Sequence, residues 1–290
     1  MDFVRYYKVL TSGEGYDNVI VLADECLSSV KHKWDLMAQL QESFMLYQSM
    51  IFNVYNLQKC VTLYTNGTVE LTENCPTEIQ DKAIVINALI TNILSSAKTL
   101  TDKMQTIMKK YCNDNTFLKA IADVYDGSYS YRLAQGLRNM CQHGFCVVSQ
   151  CTGKYGFDLY QLKNVKDFTV KGGFKDTLDD LIDRLSAYSC APIYSLSALI
   201  SEYTTDVIGL YLLFLRQAKP FIEEMDSQLK SIVMQNPELL EHKNPELLGC
   251  LLIEDDVLLH VIPAKESLHK TIDFYWRKTL WFYNEYTNVL

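Results

Sequence analysis

The sequence predicts a mainly α fold, a helical bundle with small β-hairpin insertions near 61–71 and 145–170. Three observations lead there. Only 12 glycines and 6 prolines occur in 290 residues, about half the usual share, whereas sheets and barrels need turn residues at every strand end. Apolar residues recur every three or four positions over long stretches. Strict alternation of apolar and polar residues is confined to short pieces.

The composition sets outer bounds on function. With 48% hydrophobic and 12% aromatic residues, the chain has the material for a large core and is neither a disordered nor a collagen-like polymer. A net charge of −8 argues against a surface that coats nucleic acid broadly, although it leaves room for a local basic site. Nine cysteines stand at 26, 60, 75, 112, 141, 146, 151, 190 and 250, without a CxxC pair, which fits a reducing, cytoplasmic compartment. The first residues, Met1-Asp2-Phe3-Val4-Arg5-Tyr6-Tyr7, lack the apolar stretch of a signal peptide. The strongest candidate for a membrane span, Val207 to Leu215, falls well short of the roughly 18 apolar residues needed. No membrane partner is expected.

The elements follow in order. Residues 1–60 form an N-terminal helical segment with two helices, Tyr16 to Lys31 and Lys33 to Leu57. A hairpin occupies 61–75, where Val61 to Thr65 and Thr68 to Leu71 alternate around Asn66-Gly67, two residues that accept positive φ. Residues 76–235 form a helical bundle. Pro76, followed by Thr77-Glu78, opens a helix running to about Tyr111. Helices follow over Thr116 to Tyr125 and Ser128 to His143, ended by Asp126-Gly127 and by Gly144. Short strands are expected at Phe145 to Gln150, Phe157 to Leu162 and Asp167 to Val170, then helices at Lys175 to Tyr188 and Leu196 to Met234. Residues 236–290 read as a C-terminal helical segment packed on the bundle. It begins with two Asn-Pro-Glu-Leu-Leu copies at 236 and 244, each read as a helix start, and ends in an aromatic helix from Ala264 to Tyr286.

Of the six arginines, two fall in the helix Tyr131-Arg132-Leu133-Ala134-Gln135-Gly136-Leu137-Arg138-Asn139-Met140-Cys141-Gln142-His143. At 100° per residue, Tyr131, Arg132, Gln135, Arg138, Asn139, Gln142 and His143 share an arc of about 140°, and Leu133, Ala134, Leu137, Met140 and Cys141 form the opposite, core-facing stripe. An ordinary solvated face carries Glu and Lys; this arc has neither. It offers a guanidinium fork suited to phosphate, an imidazole able to move a proton near neutral pH, and carboxamides to orient both. Such a set suits an anionic, phosphorylated ligand.

Arg138-Asn139-Met140-Cys141-Gln142-His143 resembles the Arg-x4-His motif of HEPN (higher eukaryote and prokaryote nucleotide-binding) domains, including the frequent Asn after the Arg. The resemblance covers the motif helix and, more loosely, 76–235. It implies an all-helical bundle, commonly a homodimer with a composite site across the interface, and a metal-independent endoribonuclease of toxin–antitoxin, abortive-infection or phage-defence systems. Its partners would be RNA and a neutralising antitoxin or a sensor protein; no cofactor is implied. Carried onto matching positions, His143 serves as general base or acid, Arg138 stabilises the phosphorane-like transition state, and Asn139 orients the pair, leaving a 2′,3′-cyclic phosphate and a 5′-OH. Gln135, Gln142, Arg132 and Tyr131 on the same arc would bind substrate. Where one subgroup has a tyrosine two residues after the histidine, the target of AMP transfer, this chain has Phe145.

Other constellations carry less. His32, His242, His260 and His269 are dispersed, and the acidic runs 179–183, 223–226 and 254–256 read as solvated helix faces. Cys141 lies on the apolar side of the helix, away from His143. Lys154, Lys163, Lys166 and Lys171, with Tyr155 and Tyr160, could guide RNA or simply be exposed hairpin residues. The competing function is a non-catalytic HEPN-like helical binding or scaffold protein.

Overall fold

Apolar residues at helical spacing over long stretches make long helices. The computed structural model describes residues 7–10, 19–20, 24–63, 69–71, 82–112, 115–151, 154–165, 172–187, 192–235, 249–254, 257–263 and 272–280. Its helices are α1 (Asp24–Cys60), α2 (Lys82–Ile107), α3 (Thr116–Gly127), α4 (Tyr129–Gln142), α5 (Leu159–Lys163), α6 (Gly172–Ser186), α7 (Leu196–Gln235) and α8 over 272–280. A π-helical turn, Met108–Cys112, continues α2. The fold is a mainly α bundle with small antiparallel insertions, as the periodicity predicts.

The bundle has one core. Leu36, Met50 and Leu57 of α1 share it with Ile86, Ile90 and Leu94 of α2, Leu133, Leu137 and Met140 of α4, and Val207 and Phe214 of α7, all nearly without solvent contact. Helix α1 shares its core with helices of the bundle over 76–235 and packs against α2. Stacked rings add specific contacts, Tyr47 on Tyr211 at 4.8 Å and Phe44 on Tyr275 at 4.2 Å. The second pair docks α8 onto α1, and Lys219 of α7 donates to Asp273 at 3.0 Å. The aromatic C-terminal helix is thus partly core, through Ile272 and Tyr275, while Phe274 stays exposed.

Two helices, Lys82–Cys112 and Leu196–Glu224, are long and apolar enough to cross a membrane by length and composition. The apolar-run criterion does not flag them, because polar residues interrupt the runs. Both line the bundle core.

Several boundaries differ from the sequence expectation. The two N-terminal helices are the single helix α1, since no breaker separates Lys31 from Lys33. Val19–Ile20 is not helical but strand β2, pairing with β1 (Tyr7–Leu10). Residues 249–263 form strands β8 (Gly249–Glu254) and β9 (Val257–Pro263), not helix. A short apolar run does not reveal by periodicity whether it is strand or helix. These strands join the first two in a sheet of order β2-β1-β8-β9. Both Asn-Pro-Glu-Leu-Leu copies and Pro76 lie outside the described residues.

The expected hairpin near 61–71 is present as β3 (Val61–Leu63) and β4 (Val69–Leu71). Leu63 pairs with Val69, one step off the register of a two-residue Asn66-Gly67 turn, which would set Leu63 opposite Glu70. In the second insertion, β5 (Ser149–Cys151), β6 (Lys154–Asp158) and the unanticipated β7 (Ile193–Ser195) form a sheet of order β5-β6-β7. Leu159 to Leu162, expected as strand, are helical because the Asp158 side chain caps α5 by accepting from Gln161 N at 3.0 Å. The strand expected at Asp167 to Val170 lies outside the described residues.

One core side chain is chemically mismatched. Thr204 of α7 has no exposed surface, and its hydroxyl finds no hydrogen-bond partner among the described residues. A buried donor left unmade costs about 1–3 kcal/mol. Thr204→Val, which keeps the shape, should raise stability by about 1 kcal/mol in urea unfolding; a loss of stability would show that the hydroxyl is satisfied.

Candidate active site

Helix α4 is tied down at both ends by local chemistry. Ser128, extended at φ −110°, closes α3 by donating its N–H to Val124 O at 2.9 Å and opens α4 as N-cap by accepting from Tyr131 N at 3.1 Å. At the other end His143 is the C-cap and Gly144 has φ +84°, a left-handed conformation that glycine adopts without penalty. Gly144 N donates to Cys141 O at 3.0 Å, and Phe145 N reaches back to Met140 O at 3.2 Å. This is a Schellman termination, with Phe145 packed against the core as its usual apolar contact.

Beyond the turn the chain is held from α2. Asn87 donates to Val148 O at 3.1 Å and accepts from Val148 N at 2.9 Å, a strand-like pair made by a buried carboxamide. Cap, turn and carboxamide together hold His143 at the surface.

Along its length α4 packs against α2, α6 and α7. The approach to α6 requires Gly136: a Cβ there would stand 1.9 Å from the ring of Phe174. The acids Glu202 and Asp206 of α7 lie near the N-terminus of α4, the positive end of its dipole. Buried Ser130 donates to Glu202 at 2.5 Å and contacts the Tyr194 hydroxyl at 2.8 Å. Burial holds the Asp206 carboxyl above the usual aspartate range, opposed by a hydrogen bond from Ser128.

The predicted site residues divide into two groups. Tyr131 is 2% exposed and packs its ring 5.5 Å from that of Tyr203, so it is a core residue and not part of an accessible arc. Its angular position failed as a guide because α7 covers that side of the helix start. Arg132 is also spent within the fold. Its guanidinium donates to Tyr125 O at 2.9 Å, to Asp126 O and to Thr177 Oγ1 at 3.2 Å, closing the C-terminus of α3.

The second group clusters toward the C-terminal end of α4. Asn139, Gln142 and His143 are exposed, and Gln135 and Arg138 are half-buried. Arg138 is the unusual one: its Nε is buried and has no hydrogen-bond partner among the described residues, and no ion pair occupies it there. Three of the four remaining donors of this guanidinium fork are enough to grip a phosphate. Burial pushes the Cys141 thiol up, with Thr91 opposing, which makes it a poor nucleophile.

Of the lysine-rich segment after α4 the described residues settle only a part, in which Tyr160 is exposed. Tyr155 is buried and Lys163 is ion-paired to Asp179; Lys166 and Lys171 lie outside the described residues. The sequence reading also missed a cluster of Tyr129, Asp180 and Arg184 at the start of α4. Glycine at 136 inside an otherwise regular helix was the one available signal of close packing.

Two substitutions test this support. Asn87→Ala strands both backbone groups of Val148 and should cost about 1–3 kcal/mol, read by urea unfolding. Gly136→Ala would normally stabilise a helix by about 1 kcal/mol; here it should destabilise, and Phe174→Leu in the same chain should recover part of the loss. Against family models, curated proteins and solved structures, the chain matches none.

Proposed function

We propose that the chain is a metal-independent endoribonuclease of the HEPN type, working as a homodimer with a composite site and acting in growth arrest or phage defence in the cytoplasm. The observation that carries the reading is the half-buried Arg138, its Nε buried and unpartnered among the described residues, five residues before exposed His143, on a stretch of α4 that holds no acid. The side chain is only half-buried and makes no hydrogen bond among the described residues, which leaves its other N–H donors available to an anion.

In this reading His143 takes the proton from the ribose 2′-OH as O2′ attacks the adjacent phosphorus. The P–O5′ bond breaks and O5′ leaves protonated, by the second motif histidine of the dimer or by His143 itself. Arg138 balances the charge that builds on the equatorial oxygens. Asn139 and Gln142, whose carboxamides are uncommitted among the described residues, orient the phosphate and the imidazole. Tyr131 and Arg132 drop out of the substrate-binding set, leaving Gln135 and Gln142.

A second reading, a non-catalytic helical scaffold, draws support from Arg132 and Tyr131 being consumed in packing. The two separate in one assay, cleavage of RNA in EDTA. Wild type should release 2′,3′-cyclic phosphate ends, and Arg138→Ala and His143→Ala should each lose about 100-fold or more, the usual scale for an acid–base or charge-stabilising group. Equal activity in wild type and His143→Ala would sink the nuclease.

A further inference from the structure

Two thiols bracket the histidine. Of Cys60, Cys112, Cys141 and Cys146, only Cys146 is exposed, and Cys141 is half-buried. The turn that ends α4 folds the chain back between Cys141 and Cys146: Gly144 N donates to Cys141 O at 3.0 Å and Phe145 N to Met140 O at 3.2 Å. Both sides of this turn are tied to one face of α2. The Cys141 thiol lies within hydrogen-bond reach of Thr91, and the Asn87 carboxamide holds the backbone of Val148, two residues past Cys146. Asn87 and Thr91 are four residues apart on the helix, about 6 Å along its axis, so the chain from Cys141 to Val148 leaves α2 and returns to it within about one turn. Burial pushes the Cys141 thiol up, and the charge of Cys146 adds to that. The two sulfurs are therefore within electrostatic reach of each other.

We propose that Cys141 and Cys146 form a peroxide-responsive pair whose disulfide closes around His143 and switches the site off. The effect on cleavage rests on the nuclease reading; the disulfide does not. Exposure makes Cys146 the thiol that meets the oxidant, while Cys141, held protonated by burial, is inert alone. Hydrogen peroxide transfers one oxygen to the Cys146 sulfur; its O–O bond breaks, giving a sulfenic acid and water. The Cys141 sulfur then attacks that sulfur, the S–O bond breaks, and hydroxide leaves with the Cys141 proton as a second water. Two thiols and one peroxide yield one disulfide and two waters, and a dithiol reverses the bond by exchange. The ring so closed runs through Gln142, His143, Gly144 and Phe145. A disulfide demands its own geometry, with Cα atoms about 5.5 Å apart, and His143 sits in the middle of the segment that must adjust to it.

The test treats the reduced full chain with hydrogen peroxide, alkylates the remaining thiols and maps the bonds by mass spectrometry, with no RNA present. Digestion after Arg138 and Lys154 releases one peptide that holds Cys141, Cys146 and Cys151, which makes Cys151 an internal competitor. A bond between Cys141 and Cys146 is expected in wild type and in Cys151→Ser, and Cys146→Ser should leave Cys141 alkylated. No bond, or a bond through Cys151, overturns the pair. RNA cleavage by wild type should fall roughly 100-fold on oxidation, the scale of a catalytic group misplaced by about an ångström, and return with dithiothreitol; Cys146→Ser should keep its activity in peroxide. Equal loss in Cys146→Ser, or a formed bond without loss, overturns the switch. If reduced wild type cuts RNA and no bond forms, the pair fails and the nuclease stands. If the bond forms in a chain that cuts nothing, the nuclease fails and the pair stands.

Discussion

Two hydrogen bonds between the Asn87 carboxamide and the backbone of Val148 join parts of the site that are distant in sequence. They cross from α2 to the chain that leaves α4, and they do so in the core, where an unmade bond is costly. Val147 and Val148 are themselves buried, which ties the segment after Gly144 to the core. The Schellman turn then fixes where α4 stops. The backbone of His143, the C-cap, is placed by this sequence of constraints.

Sorting the polar side chains of α4 by what they already do separates structure from function more sharply than their angular positions. Arg132 has carbonyl and hydroxyl acceptors for its guanidinium, and removing it would expose the end of α3. Arg138 has none among the described residues. Both are arginines on one helix, six residues apart, and both fall on the polar arc read from sequence. The difference lies in the neighbours: α3 ends beside Arg132 and supplies free carbonyls, whereas the surroundings of Arg138 leave its Nε buried and unpaired.

Much of the helical architecture was legible because it rests on local signals. Ser128 and Gly144 mark α4, and the boundaries of α3, α4 and α7 fall within a residue or two of where capping and periodicity put them. What was not legible depends on distant partners. β8 is an apolar run that pairs with β9 on one side and, on the other, with β1, some 240 residues away in the chain. Tyr131 and Tyr155 look like accessible aromatics until α7 and the core are placed over them. The Tyr129 and Arg184 pair joins residues 55 apart, and nothing local announces it.

The end of α4 also bears on how an acidic chain could bind RNA. A helix C-terminus carries negative dipole charge and repels a phosphate. In α4 that charge is partly neutralised, since the carbonyls of Asn139, Met140 and Cys141 accept bonds from the N–H groups of residues 143–145. The acids of α7 meanwhile lie near the N-terminus, where the dipole favours them. Helix α4 itself carries no acid, so the Arg138 guanidinium is the formal charge that the helix brings to this end. The proposed chemistry therefore does not need a basic protein; it needs Arg138 to remain unpaired by its own chain.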